Sequence, residues 1–264
     1  MPKKKYNLAL VLSGGGAPGM AHIGVIKTLE KNNITPDIIV GTSSGAIVGG
    51  MHSAGVLNDF ENFLTGKTKK ELSRKFSFWP SKEGLINTGK LENDFRKFIG
   101  NKKIEELNKK FIAVSVDLLT GKMIFIDKGD LCQSILASIA VPILFVPVHK
   151  DGMLLVDGGL EDPLAIDEGF KLAKKVIAVN TTRHIDDIQK KEKYGFIDIF
   201  ERSLAILQTE IVAVALKKYK HNLVVISPRV DLNLLDFHRA DEAIKIGEDE
   251  TTKKIEDIKK LVLE

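Results

Sequence analysis

The chain has 264 residues, of which 44% are hydrophobic and 28% are charged, so it is long enough to bury the core of one large globular domain. Its 39 lysines and arginines against 35 aspartates and glutamates give a net charge of +4, far below the basic excess of a nucleic-acid-binding protein. Cys132 is the only cysteine, which excludes an intramolecular disulfide and a zinc site built from thiolates.

The hydropathy of the chain predicts neither an export signal nor a membrane span. Lys3, Lys4 and Lys5 lead into the short apolar run 8–12 and then into glycines, which is a strand pattern rather than a secretory signal. No run approaches the ~18 apolar residues that cross a bilayer. We therefore expect a cytoplasmic protein, with peripheral contact to a membrane surface left open.

The first predicted strand, residues 7–12, is followed by a glycine-rich loop. The loop reads Gly14-Gly15-Gly16-Ala17-Pro18-Gly19, and apolar residues at helical spacing then predict a helix over about 20–31. Successive backbone N–H groups converge in such a loop, and the dipole of the following helix favours negative charge. The residues from Gly14 to Ala17 are therefore a candidate oxyanion hole, and a tight turn without a ligand is the alternative.

The second predicted strand, residues 38–40, leads into Gly41-Thr42-Ser43-Ser44-Gly45. This stretch matches G-x-S-x-G, the turn that holds a serine hydroxyl away from the backbone at the end of a strand. Gly41 and Gly45 leave room for neighbouring backbone that a Cβ would block. The pattern alone is weak, but the strand before it and the predicted helix after it make Ser43 a candidate nucleophile.

Residues 56–110 are more polar and predominantly helical in pattern. They contain a patch of lysines, arginine and aromatic residues that runs from Lys67 to Trp79. Tryptophan and phenylalanine suit the headgroup boundary of a membrane and lysines favour anionic surfaces, so the patch is the best candidate in the chain for peripheral membrane contact. The alternative is a solvated helix followed by a core tryptophan.

The second half of the chain continues the alternation of strands and helices. The pattern predicts strands at 111–116, 123–126, 153–156, 176–179 and 223–226, an extended segment at 144–148, and helices near 131–139, 197–218 and 239–263. This alternation favours a mostly parallel sheet with helices on both faces. No linker or repeat divides the chain, so we expect one domain over residues 1–264.

Asp157 is the candidate base. It ends a predicted strand and precedes two glycines, which places it at the carboxyl edge of the sheet, where α/β sites assemble. A serine needs a base within hydrogen-bond reach, and partial burial would raise the pKa of an aspartate toward the useful range. A turn aspartate that bonds its own backbone is the alternative. His238 follows Asp157 and could complete the Ser, Asp, His order of an α/β-hydrolase triad.

Taken together, these motifs resemble the patatin-like phospholipases. The resemblance rests on residues 14–19 with His22 and Gly24, on residues 41–45, and on Asp157-Gly158-Gly159. Residues 117–121 and 137–142, with Phe145 and Pro147, are similar to further family segments, so the likeness covers most of residues 7–163.

The resemblance implies a three-layer α/β/α fold and a lipid acyl hydrolase that uses no metal and no cofactor. In this reading Ser43 attacks an acyl ester of a phospholipid, a lysophospholipid or a related lipid, Asp157 is the base, and residues 14–16 form the oxyanion hole. The residues alone leave two rivals, an esterase that uses His238 and a catalytically silent lipid-binding or regulatory module.

Two positions depart from the family pattern. Pro18 stands where the family commonly has a basic residue in the glycine loop, which bears on the oxyanion hole or on headgroup preference. Glu161-Asp162-Pro163 follows the aspartate motif where an asparagine before the proline is more usual.

Two stretches of the sequence match nucleotide-binding motifs only incompletely. Gly14-x-Gly16-x-x-Gly19 also fits the dinucleotide fingerprint, but the second strand ends in Gly41-Thr42-Ser43, where an acidic residue would hold the ribose. Residues 84–90 nearly match a P-loop, but Leu91 stands where a serine or threonine would bind magnesium. No metal-ligand spacing occurs in the sequence, so we expect no metal site.

Overall fold

The computed structural model of the chain describes residues 4–75, 77, 86, 88–183, 185 and 192–263. Within these residues the strands are β1 (Tyr6–Leu12), β2 (Ile38–Thr42), β3 (Lys110–Asp117), β4 (Lys122–Ile126), β5 (Val148–Lys150), β6 (Met153–Asp157), β7 (Ala173–Val179) and β8 (Leu223–Ile226). The helices are α1 (Ala21–Lys31), α2 (Ser44–Ser53), α3 (Leu57–Leu64), α4 (Lys69–Lys75), α5 (Thr88–Ile99), α6 (Leu131–Ser138), α7 (Ile166–Leu172), α8 (Phe196–Lys217), α9 (Ala240–Lys253) and α10 (Ile255–Leu263).

The strands form one sheet in the order β5-β6-β3-β2-β1-β7-β8, with β4 also paired to β3. The strands β8, β7, β1, β2 and β3 are parallel to one another, whereas β4 and β6 run antiparallel to β3. The sheet is therefore mostly parallel, as the alternation of strands and helices in the sequence predicts.

Helices cover both faces of the sheet, because strands such as β1 carry apolar side chains on both faces. Leu8, Leu10 and Leu12 pack into one hydrophobic cluster with residues of α1, α2 and α9. Ala9 and Val11 face the other way and pack with residues of α7 and α8. Because successive side chains of a strand point to opposite faces, a continuous apolar run such as β1 must be buried from both sides. The result is the three-layer α/β/α arrangement that the family resemblance implies.

The strand β3 brings the ends of β2 and β6 together. Along one edge, β3 pairs with β4 over Ala113–Asp117. Along its other edge, β3 pairs first with β2, which ends with Thr42 opposite Val114. From Ser115 onward that edge pairs with β6, whose last residue Asp157 lies opposite Ser115. Because β2 runs parallel to β3 and β6 runs antiparallel to it, their carboxyl ends meet at adjacent positions of the same strand.

Two elements differ from the sequence prediction for identifiable reasons. The extended segment predicted at 144–148 contributes a strand only from Val148 onward, since Pro147 has no N–H to donate to a ladder. The helix predicted over 239–263 is divided at Lys254 into α9 and α10. Just before the break, the hydroxyls of Thr251 and Thr252 donate to backbone carbonyls one turn earlier, a pattern that often bends helices.

The apolar positions of α8 are only partly buried. Ala205 and Val212 are the buried positions of this helix, whereas Leu207 and Val214 are 63% and 58% exposed. The apolar residues of α8 therefore do not form a continuous buried face.

The basic-aromatic patch from Lys67 to Trp79 is described only in its first half. Its lysines lie on and before α4, but Phe76, Phe78 and Trp79 lie outside the described residues, as do residues 84, 85 and 87 of the P-loop-like segment. Membrane contact through this patch stays a prediction. No helix in the described part of the chain combines the length and the hydropathy needed to cross a bilayer.

Candidate active site

Ser43 occupies the turn between β2 and α2. Its backbone has φ of 53° and ψ of −120°, a conformation that residues with a side chain rarely adopt and that is found where a nucleophile is held at a sharp strand-to-helix turn. A Cβ on Gly41 would lie 2.5 Å from the carbonyl oxygen of Gly45, and one on Gly45 would lie 2.7 Å from that of Ser13. Neither position therefore has room for a side chain, as expected for the two glycines.

Asp157 is buried at the end of β6, with 4% of its surface exposed. Its Oδ1 accepts a hydrogen bond of 2.7 Å from the N–H of Gly159, while Oδ2 has no hydrogen-bond partner among the described residues. Burial raises the pKa of Asp157 to about 6. The hydroxyl of Ser43, which is close enough to act on the carboxyl without forming a hydrogen bond of good geometry, and the N–H of Gly159 act to lower it. A buried carboxylate with one oxygen unused is available to accept a proton.

Ser138, at the end of α6, ties the backbone at Ser43 to β3 by two hydrogen bonds. The N–H of Ser43 donates to Ser138 Oγ at 2.9 Å, and Ser138 Oγ donates to the carbonyl oxygen of Val114 at 2.6 Å. On the neighbouring position of β3, Ser115 Oγ donates at 2.6 Å to the carbonyl oxygen of Val156, the residue before the aspartate. Two buried hydroxyls therefore tie the backbone at Ser43 and at β6 to the same strand.

The glycine loop lies directly beside the serine, since a Cβ on Gly14 would be 3.3 Å from Ser43 Cβ. The N–H of Gly14 donates to the carbonyl oxygen of Pro163 at 3.0 Å, and that of Ala17 donates to Leu234 at 2.9 Å. The N–H groups of Gly15 and Gly16 have no acceptor within the described part of the chain. Of the four residues predicted from the sequence as an oxyanion hole, Gly15 and Gly16 thus retain free donors.

A buried polar network holds the first peptide of this loop. The carbonyl oxygen of Gly14 accepts from Ser13 Oγ at 2.8 Å and from Thr181 Oγ1 at 3.1 Å. The C=O and N–H of a trans peptide point in opposite directions, so these bonds turn the N–H of Gly15 away from Thr181. His22 supports the network: its Nε2 lies 2.9 Å from the carbonyl oxygen of Ser13, and burial lowers its pKa to about 4, which keeps the ring neutral at pH 7.

Glycine is required at two positions of the loop. Gly15 has φ of 157°, and a Cβ there would collide with the carbonyl oxygen of Thr181. Gly16 has φ of 64°, and a Cβ there would lie 2.5 Å from the carbonyl oxygen of Leu234. Backbone from the segments that follow β7 and β8 packs against the loop at these points, which explains the run of glycines.

The loop, the serine and the aspartate line one cleft, which we call the Ser43 cleft. Its volume is about 550 Å³, including the part that is open to solvent. It is lined by Gly14, Gly15, Gly16, Ser43, Val141, Asp157, Gly159, Leu160, Arg183, Glu201, Leu204, Ala205, Gln208 and Leu234. None of the described histidines is among these residues, and His238 has no hydrogen bond to Ser43 or Asp157 in the described structure. No group of three potential metal ligands is found among the described residues either.

Residues 10–169 match the family described as patatin-like phospholipase, and this match covers more than half of the chain. The chain belongs to the patatin-like phospholipase family. Over 157 residues it is 40% identical to an uncharacterised NTE family protein of Mycobacterium tuberculosis, a match that covers 60% of this chain and 44% of that protein. Over 188 residues it is 31% identical to lysophospholipase NTE1 of Meyerozyma guilliermondii, covering 68% of this chain and 13% of that protein.

This patatin-like chain thus spans less than half the length of these curated relatives. Among solved structures, its fold is similar to that of VipD from Legionella pneumophila, with a TM-score of 0.52 and 15% identity over 97% of this chain and 67% of that chain. At this level of identity the likeness concerns the fold alone.

Several residues of the site were missed from the sequence. Ser13 and Thr181 orient the glycine loop, and Arg183 and Glu201 line the cleft as an ion pair. One signal was present: Thr181 and Arg183 follow the predicted strand 176–179, and the carboxyl ends of parallel strands meet at one edge of a sheet. Glu201 carried no such signal, because its approach to the cleft depends on how the long helix α8 packs.

Proposed function

We propose that this patatin-like chain is a serine acyl hydrolase that cleaves acyl esters of phospholipids, lysophospholipids or related lipids. The family match supports this activity, as does the likeness to proteins named lysophospholipase. The observation that carries the proposal is the carboxyl of Asp157, which lines the same cleft as Ser43 and keeps Oδ2 without a partner among the described residues. Its pKa, raised by burial to about 6, makes it a stronger base than a solvated aspartate while leaving it ionised at neutral pH.

In the first half of the reaction, Ser43 Oγ attacks the carbonyl carbon of the ester while Asp157 Oδ2 accepts the serine proton. Negative charge then develops on the former carbonyl oxygen, and the free N–H groups of Gly15 and Gly16 donate to it. When the tetrahedral intermediate collapses, the bond to the alcohol breaks and Asp157 returns its proton to the leaving oxygen. The acyl group stays on Ser43.

In the second half, a water molecule attacks the acyl-Ser43 ester. Asp157 accepts a proton from this water, the same two N–H groups stabilise the second oxyanion, and the proton then passes to Ser43 Oγ as the fatty acid leaves. One carboxylate therefore acts as base and acid in both halves, which needs no histidine in the cleft.

The test compares wild type with Ser43→Ala and with Ser53→Ala as a matched control. Ser53 lies on α2, the helix that begins beside Ser43, and is also buried, but its hydroxyl has no described partner and lines no described cleft. We expect Ser43→Ala to lose at least ~10³-fold in hydrolysis of a short acyl ester and all labelling by a fluorophosphonate, as removal of a nucleophile does. Ser53→Ala should keep both. Near wild-type turnover by Ser43→Ala would end this mechanism.

The same fluorophosphonate experiment separates the proposal from a silent lipid-binding or regulatory module. The reagent reacts only with an activated serine. A folded wild-type protein that binds lipid but takes no label would favour the silent module, whereas labelling that requires both Ser43 and Asp157 supports the hydrolase.

A further inference from the structure

A largely buried ion pair lines the Ser43 cleft, and it comes from elements other than the strands that lead to Ser43 and Asp157. Arg183, four residues after the end of β7, donates from one guanidinium nitrogen to a carboxylate oxygen of Glu201 on α8 at 2.7 Å. The side chains of Arg183 and Glu201 are 9% and 12% exposed. Of the described residues that line the cleft, Arg183 is the only cation.

The guanidinium of Arg183 is oriented but not saturated. Arginine presents five N–H donors in a planar fork, and the bond to Glu201 uses one nitrogen. Its remaining donors have no acceptor among the described residues, and Arg183 lines two spaces, the Ser43 cleft and a second pocket. A planar cation held at one end by a carboxylate is suited to bind a second anion at its other edge.

The second pocket, which we call the polar pocket, lies at the carboxyl ends of β7 and β8. Polar side chains line it, including Asn180, Thr182, Thr209 and Ser227, together with a further cation, Arg229. Arg183 is the one residue that lines both this pocket and the Ser43 cleft among the described residues, so it lies at the boundary between them.

A third space, the apolar pocket, lies on another side of the serine. It shares Gly16, Ser43, Val141 and Leu234 with the cleft. Apart from Ser44, its other lining side chains are hydrophobic, such as Ile47, Phe145 and Phe237. It has no residue in common with the polar pocket. The three spaces therefore follow in the order apolar pocket, Ser43 cleft, polar pocket, with Ser43 at the first boundary and Arg183 at the second.

We propose that Arg183, held in place by Glu201, binds the phosphate of a phospholipid headgroup while the acyl chain of the same molecule occupies the apolar pocket. This inference rests on the proposed hydrolase function and assigns its substrates to phosphate-bearing acyl esters. A single-chain phospholipid fits the arrangement directly: a hydrocarbon tail on one side, the ester at Ser43, and a phosphate on the other. Pro18 is buried and uncharged, so the glycine loop itself offers no cation for this role.

The experiment compares two substrates that differ in the headgroup alone, a lysophosphatidylcholine and the monoacylglycerol with the same acyl chain. The quantity measured is the ratio of kcat/KM for the first to kcat/KM for the second. Removing Arg183 by itself would leave a buried carboxylate unpaired and endanger folding, so the main variant is the double substitution Arg183→Gln with Glu201→Gln. It replaces the charged pair by two amides that can still hydrogen-bond.

We expect the double variant to lower the ratio about 10- to 100-fold, because a hydrogen bond to a charged group is lost for one substrate only. Glu201→Gln alone should raise the ratio several-fold, since it leaves the guanidinium without its internal anion. As a control, Arg96→Gln removes another arginine that is paired with carboxylates, those of Glu92 and Asp130. Arg96 lines none of the three spaces, so this substitution should leave the ratio unchanged. An unchanged ratio in the double variant, with both rates reduced alike, would overturn the proposal by showing a structural pair.

Two further arms complete the test. First, equilibrium binding of both lipids is measured in a Ser43→Ala background, with and without the double substitution. If the wild type does not hydrolyse either lipid, the proposed function is contradicted. The ratio of the two binding affinities still tests the role of Arg183 in that case. Inorganic phosphate is added as a competitor of monoacylglycerol hydrolysis. Inhibition only far above the KM of the phospholipid supports a lipid headgroup site, whereas inhibition at or below that KM would overturn it in favour of free phosphate.

Discussion

Replacing Asp157 by asparagine is expected to stabilise the fold while it abolishes hydrolysis. The carboxyl is buried, and burial raises its pKa from 3.8 to about 6 in spite of the favourable contacts with Ser43 and Gly159. Asparagine keeps an oxygen to accept from the N–H of Gly159 and carries no charge to bury. The substitution therefore removes the cost of ionising this site and removes the proposed base at the same time.

The magnitude follows from the two pKa values. Below pH 3.8 the carboxyl is protonated in both the folded and the unfolded chain, and no cost arises. Between pH 3.8 and about 6 the unfolded chain releases this proton while the folded chain still holds it, so stability falls over this range and levels off above it. A difference of about two pKa units at 1.36 kcal/mol each gives about 3 kcal/mol at pH 8. At pH 5 the same relation leaves about half of this gap between Asp157→Asn and wild type.

The assay is urea unfolding of wild type and Asp157→Asn at several pH values from 5 to 8, with ester hydrolysis measured in parallel. Asp162→Asn is the matched control, because burial also raises the pKa of Asp162 to about 6 but its side chain lies outside the Ser43 cleft. The control should show a stability gap in the same direction and should keep its activity. A gap for Asp157→Asn that is constant with pH, or a variant less stable than wild type at pH 8, would refute the reasoning.

Three further outcomes are expected. In wild type, log kcat/KM for a neutral ester should rise with pH and level off above a midpoint near 6, since Asp157 must be ionised to act as base; a decline over the same range in a pH–rate profile would contradict this. Thr181→Val removes the hydroxyl that donates to the Gly14 carbonyl oxygen. It should lower kcat/KM about 10- to 100-fold in steady-state kinetics, and it should lower the free energy of unfolding by about 1–2 kcal/mol in urea titration. His238→Ala should retain at least about half of the wild-type kcat in the same assay, and a loss comparable to that of Ser43→Ala would restore the triad alternative.

Local patterns in the sequence were sufficient for the parts of the site that lie within one turn of the chain. The turn at Ser43 was predicted because its glycines and the flanking strand and helix are adjacent in sequence, and the structure has the expected turn. Asp157 was placed at a strand end by the same kind of reasoning. Their catalytic roles remain proposals, since position alone does not establish chemistry.

Contacts between segments distant in sequence could not be predicted. Nothing in the sequence indicates that Thr181 would hold the Gly14 carbonyl, or that Glu201 would reach Arg183. Hydrophobic spacing along α8 likewise does not decide burial, since Leu207 is exposed while the small Ala205 is buried. In each case the decisive quantity is how closely one element packs on another, which no local pattern contains.

The pairing of β3 has a consequence for how this fold accommodates change. Ser43 and Asp157 are aligned by adjacent residues of one strand, so their separation does not depend on the length of chain between them. Extra residues at an exposed connection such as the turn at 100–102 would lengthen the chain without altering the spacing of the pair. Such turns are therefore the places where this scaffold could acquire additional segments, and new specificity with them, at no cost to its chemistry.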